Sequence, residues 1–249
     1  MKATINAVNG LIAINIAMYA LAFIFSSPDS ALDLYRTFAL HYPANEAFFI
    51  WQPVTYLFLH GNFAHILFNM YALFAFGSVL EQCWGTKKFL IFYFVSGVGA
   101  ALIYTLVNAI QYNAIVDELA SLGLSVQTAQ DIVSGQVQSR VLSELGEQRL
   151  QEFYALYYSS AVGASGAIYG ILIAFALLFP QAKLFLIFLP IPIKAKLFVP
   201  ALIGVDFFFG VTSYSIGNVA HFAHIGGAIF GLLMMLWWRY TRSKNSQPF

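Results

Sequence analysis

At 249 residues, 60% hydrophobic, 17% aromatic and only 9% charged, the chain is too apolar to be a water-soluble domain. Its formal net charge of +1 leaves no basic excess for a nucleic-acid partner. A single cysteine, Cys83, excludes an internal disulfide.

In chain order, the first apolar run, residues 7–25, is long enough to cross a hydrocarbon core of about 30 Å. It reads as a retained anchor rather than a signal peptide, because Ser26-Ser27-Pro28 makes a poor cleavage site. Residues 26–57 form a first external loop whose Phe48-Phe49-Ile50-Trp51 suits the bilayer interface. Further spans are expected at 58–80 and 89–111. Next comes an external polar insert, 112–156, in which Ile132, Val133, Val137, Val141, Leu142 and Leu145 recur at helical spacing. That insert reads either as a solvated connector or as a cover for the mouth of a site. The fourth span is 157–179, the fifth 196–213 and the sixth 219–239, with a tail at 240–249. Pro190, Pro192 and Pro200 interrupt the approach to the fifth, and Leu184 to Leu189 reads as a half-inserted segment.

Charge sets the orientation. With the N-terminus inside, Lys2, Lys87, Lys88, Lys183, Lys194, Lys196, Arg239, Arg242 and Lys244 are cytoplasmic, against only Arg36, Arg140 and Arg149 outside. The expected fold class is an all-α integral membrane protein. It is a six-transmembrane-helix bundle of one domain, 1–249, with both termini cytoplasmic and a polar, partly helical insert between helices three and four.

Polar residues within the spans then fall at one depth. His65 and Asn69 on span two, Ser165 on span four and His224 on span six all lie near the outer ends of their helices. Such groups are costly to bury unpaired in a membrane, so they are expected to face one another. Serine needs a neighbouring base to become a nucleophile, and His224 is the candidate. No carboxylate lies on spans two, four or six at that depth. A Ser165-His224 dyad is therefore expected, with Asp206 on span five read as a helix-packing or helix-end hydrogen bond, or else an ion site. The Ser165 N–H, the Asn69 amide and the His65 ring are candidate oxyanion donors. Gly166 and Gly170, facing Gly227 and Gly231, would let two helix backbones approach closely. Tyr169, one turn below Ser165, would pack against His224.

Three motifs now stand in order: His60-Gly-Asn-Phe-Ala-His65-Ile-Leu-Phe-Asn69, then Gly163-Ala-Ser165-Gly166 with Tyr169-Gly170, then Ala223-His224-Ile-Gly-Gly227-Ala-Ile-Phe-Gly231. Together they resemble the rhomboid intramembrane serine proteases, across the whole membrane core. The resemblance implies a rhomboid-like bundle with Ser165 as nucleophile, His224 as general base, and Asn69, His65 and the Ser165 N–H as oxyanion donors. It implies a structural role for His60 and an orienting role for Tyr169. It further implies transmembrane protein substrates cut near the outer end of their helix, the lipid bilayer as partner, and no cofactor. The setting expected is a bacterial plasma membrane.

Two features depart from that family. Trp51 is followed by Gln52 where an arginine is common, and the polar insert is longer than in a minimal rhomboid. Two rival readings stand beside the protease. One is a non-catalytic protein that binds membrane clients. The other is a metalloenzyme built on His60, His65, His221 and His224, although no H-E-x-x-H pattern is present and no metal is expected.

Overall fold

The computed structural model describes residues 6–25, 33–124, 145–186, 189–212 and 220–245, together with positions 132 and 143. Ten α-helices and one β-hairpin are formed by these residues.

Helix α1, Ala7–Phe25, is apolar along its length and exposes Ile16, Phe23 and Ile24 outward. Its first turn is capped from elsewhere in the chain, because Glu81 accepts from the Ala7 and Val8 N–H groups at 2.8 and 3.0 Å. A carboxylate at a helix N-terminus satisfies orphan donors and meets the positive end of the dipole, which accounts for a buried acid here.

The first loop is not irregular throughout. It holds α2, Leu34–Phe38, capped by the Asp33 side chain, and α3, Gln52–Thr55, which continues into a 3-10 turn at Tyr56–Phe58. The next span, Phe63–Trp84, consists of α4, Phe63–Ala72, a π turn at Leu73–Gly77 and α5, Ser78–Trp84. Asn62 caps α4 through the His65 N–H at 2.8 Å.

Helix α6, Thr86–Ser121, runs 36 residues, about 54 Å at helical rise. It extends well past the expected end at 111 into the polar insert. Its C-terminal end packs Ile115 and Leu119 against Ile132, Leu150 and Phe153, the last two from α7, Glu147–Tyr158. A small apolar core outside the bundle therefore holds the helix together where hydropathy alone would end it. Of the amphipathic pattern expected in the insert, Ile132 and Leu145 belong to this cluster. Val133, Val137, Val141 and Leu142 lie outside the described residues.

Helix α8, Ser165–Leu178, is only 14 residues long, so the expected span 157–179 is corrected at its start. Residues 159–164 run outside any helix, bridging Leu40 through Ala161 and giving the Gly163 N–H to Tyr56 O at 2.9 Å.

The segment expected to be half-inserted, Leu184 to Leu189, falls on two strands. Strands β1, Lys183–Leu186, and β2, Leu189–Lys194, pair antiparallel with Lys183 opposite Lys194. Pro190 and Pro192 alternate, so the two positions without an N–H fall on the same edge of β2. The hairpin leads into α9, Ala195–Val211, and the chain closes with α10, His221–Asn245.

Among the described residues, four helical stretches are long and apolar enough to cross a membrane: Ala7–Phe25, Phe63–Trp84, Thr86–Ser121 and His221–Thr241. The shorter α8 and α9 complete the bundle. Helices α6, α8 and α10 pack on one another at its centre, and α9 leans on α10.

Candidate active site

The contact between α8 and α10 sets the geometry of the site. A Cβ on Gly227 would come within 1.8 Å of Gly166 O, and one on Gly231 within 2.6 Å of Gly170 Cα. On the other side of α8, a Cβ on Gly170 would lie 2.3 Å from Ser96 Oγ of α6. The backbones of α8 and α10 touch with no side chain between them, an approach that only glycine permits.

That approach brings His224 Nε2 to 2.8 Å from Ser165 Oγ. The Tyr169 ring stacks on the imidazole, with centroids 4.3 Å apart and planes 10° from parallel. Ser165 opens α8, so its backbone N–H has no partner within its own helix.

Gly163 adopts φ +123°, a region that side chains strain to enter. A Cβ there would lie 2.7 Å from His65 Nε2 and 3.6 Å from Ser165 Oγ. The imidazole of His65 and the serine hydroxyl thus flank the same bare stretch of backbone. Asn69 is buried one turn further along α4, and its amide nitrogen donates to His65 O at 2.9 Å, using one of its two N–H bonds. His60 is fully buried with its ring edge-on to His65, centroids 5.0 Å apart. Neither His60 nitrogen has a hydrogen-bond partner among the described residues, and its carbonyl accepts from Tyr35.

The expectation that no carboxylate reaches His224 is corrected by the structure. Asp206, buried on α9, places Oδ1 3.1 Å from His224 Nδ1 and 2.6 Å from His221 Nδ1. Its Oδ2 accepts from the Tyr169 hydroxyl. Asp206 sits five residues before the end of an oppositely running helix, whereas the histidines open α10, and all three meet at one level. The ligand-type atoms of Asp206, His221 and His224 lie within 4.8 Å of one another, the set among the described residues that could hold a metal ion. Both histidine contacts are at hydrogen-bond distance, and the cluster is accounted for as donors around a carboxylate.

Comparison with known sequences decides the family, because the rhomboid domain model matches residues 48–130 and 131–240. The chain belongs to the rhomboid family. Among curated rhomboids, the rhomboid protease AarA of Providencia stuartii is 29% identical over 242 residues, covering 91% of this chain and 70% of that protein. An uncharacterized mitochondrial rhomboid protein of Schizosaccharomyces pombe is 28% identical over 202 residues, covering 75% of this chain and 50% of its own length. The mitochondrial presenilin-associated rhomboid-like protein of Bos taurus is 25% identical over 244 residues, covering 97% of this chain and 51% of its own. The chain thus spans about half the length of these two mitochondrial rhomboids. Both bacterial and mitochondrial proteins appear, and what this rhomboid's own helices support is an integral membrane setting.

Gln52, which departs from the rhomboid pattern, is fully buried and organises the first loop. Its amide nitrogen donates to Ala47 O at 2.7 Å, Arg36 O at 3.2 Å and Thr37 O at 3.3 Å, while its oxygen accepts from His41 N at 3.2 Å. A neutral amide here gathers backbone carbonyls without bringing a charge into the loop.

Proposed function

We propose that this rhomboid is an intramembrane serine endopeptidase that cleaves transmembrane protein substrates near the outer end of their helix. The observation that carries the reading is the 2.8 Å contact between Ser165 Oγ and His224 Nε2 inside the bundle. A serine next to a base is an activated nucleophile.

In this reading, Ser165 Oγ attacks the scissile carbonyl carbon while its proton passes to His224 Nε2. The new oxyanion is met by the Ser165 N–H, the second N–H of Asn69 and the His65 ring, with the positive end of α8 adding a favourable field. Collapse expels the amine, which takes the proton from His224, and leaves an ester on Ser165. Water then attacks the ester with His224 as base, and a carboxylate product leaves. All groups come from the chain itself, and no cofactor is invoked.

The short α8 is compatible with an outer cut site. Fourteen residues span about 21 Å, less than the ~30 Å hydrocarbon core, so at least one end of α8 lies within the apolar layer, and in this reading it is the end that carries Ser165. We further propose six spans, with α8 and α9 as the two short ones, and both termini on the cytoplasmic side. The distribution of lysines and arginines favours that arrangement.

The test is reconstitution of the purified chain with a fluorescent transmembrane reporter. Wild type is expected to cleave it, and Ser165→Ala and His224→Ala to reduce cleavage to background. Unchanged cleavage in either variant removes that residue from the mechanism. The Asp206, His221 and His224 cluster gives a metal-dependent reading a specific foothold. Loss of cleavage in EDTA together with full activity of Ser165→Ala would decide for that alternative. A wild type that binds the reporter without cutting it would leave a client-binding protein.

A further inference from the structure

We propose that Asp206 is a positioning residue for catalysis, which turns the serine and histidine pair into a Ser165-His224-Asp206 triad with the carboxylate supplied by α9. The proposal rests on the protease reading above and adds a third residue to it.

The argument starts from what a carboxylate can do. Ionised, it only accepts hydrogen bonds, so each neighbour within bonding distance must present a proton to it. Three do so: His224 at Nδ1, His221 at Nδ1 and the Tyr169 hydroxyl. A proton on His224 Nδ1 leaves Nε2 with its lone pair, and Nε2 is the atom facing Ser165 Oγ. Asp206 therefore selects the one neutral tautomer in which His224 can take the serine proton. As Nε2 becomes protonated during attack, the same carboxylate stabilises the imidazolium that forms.

Orientation is fixed as well. His224 is held at Nδ1 by Asp206, across its face by the Tyr169 ring and at Nε2 by Ser165, which removes its rotational freedom. Tyr169 bridges two parts of this arrangement, stacking on the imidazole with its ring and donating to Asp206 with its hydroxyl. His221 shares Oδ1 with His224 and anchors the carboxylate to the first turn of α10. If Asp206 only tied α9 to α10, the His221 contact would suffice. The second contact, to the one nitrogen that controls the base, is what gives it a part in the reaction.

The experiment uses the full chain in proteoliposomes and measures reporter cleavage and the rate of fluorophosphonate labelling of Ser165. In Asp206→Asn, turnover per labelled site is expected to fall by about 10²-fold or more with KM little changed. The labelling rate of Ser165 should fall with it, because the base is no longer held in the productive tautomer. Labelling endpoints count intact sites, so a partly misfolded variant still reports a rate per site. Asp206→Glu keeps an acceptor at a displaced position and is expected to recover part, and not all, of the lost rate. Rates per site within about threefold of wild type in Asp206→Asn would overturn the role. So would fewer labelled sites with an unchanged rate per site, which is the signature of a purely structural tie. If Asp206→Asn leaves no intact sites, Asp206→Glu decides by its rate per site, and a rate equal to that of wild type counts against the role. A wild type that neither labels nor cleaves would overturn the protease reading itself, and this role with it.

Discussion

Gly163 lies between the His65 ring and the Ser165 hydroxyl. Its φ of +123° and the 2.7 Å from its missing Cβ to His65 Nε2 impose two independent demands for glycine. Gly163→Ala is expected to cost about 1–3 kcal/mol of stability from backbone strain and to displace His65 from the side of Ser165. Cleavage should fall more than tenfold while Ser165 still labels with a fluorophosphonate, since the nucleophile and base are untouched. Equal retention of both activities would mean that His65 has no part in the oxyanion site. Ser165 and His224 were legible in the sequence because each interrupts an apolar run beside small residues. The contact between Asp206 and His224 was not, because Asp206 lies near the end of α9 whereas the other site residues lie near the starts of their helices. Gln52 was hidden for a different reason: a neutral amide in a loop gives no sign, in one sequence, that four backbone groups converge on it.

At the level of elements, the crossing of α8 and α10 is the joint on which the site depends. A Cβ on Gly227 would sit 1.8 Å from Gly166 O, and backbone cannot yield as a side chain does. Gly227→Ala is expected to push the two helices apart, lengthen the Ser165 to His224 contact and lower both Tm and the labelling rate, the latter by at least tenfold. Gly204→Ala on α9, with nothing within 4 Å of the added carbon, is the matched control and should leave both unchanged. A Gly227→Ala protein as active as Gly204→Ala would show that the close crossing is not what brings the pair together. Paired small residues at four-residue spacing made this joint readable from sequence. The start of α8 and the length of α6 were not, for opposite reasons. Apolar residues before Ser165 belong to a loop held by Leu40 and Tyr56, whereas polar residues after 111 stay helical by packing Ile115 and Leu119 on α7. Hydropathy registers the solvent around a segment and is blind to those tertiary partners.

For the whole molecule, a belt of outward apolar side chains defines the surface that meets lipid. Phe23, Phe74, Leu106, Ile110, Phe207 and Trp237 all point away from the core and are more than half exposed. Beyond that belt, α7 and the end of α6 form a separate cluster, tied to the first loop by Asn45 Nδ2 donating to Tyr157 O at 2.8 Å. The proposed orientation puts this cluster and the mouth of the site on the outer face, and the turn between α5 and α6 on the cytoplasmic face. Cys83, exposed at the end of α5 and followed by Lys87 and Lys88, is a native reporter of that turn. As the chain's single thiol, it needs no cysteine-free background. A membrane-impermeant maleimide is expected to label Cys83 in inside-out vesicles and not in right-side-out ones, with labelling in both after detergent. The reverse pattern would place the basic turns outside and Ser165 near the inner face. Substrates would then have to be cut at the opposite end of their helices, so this one accessibility measurement bears on both the topology and the site of cleavage.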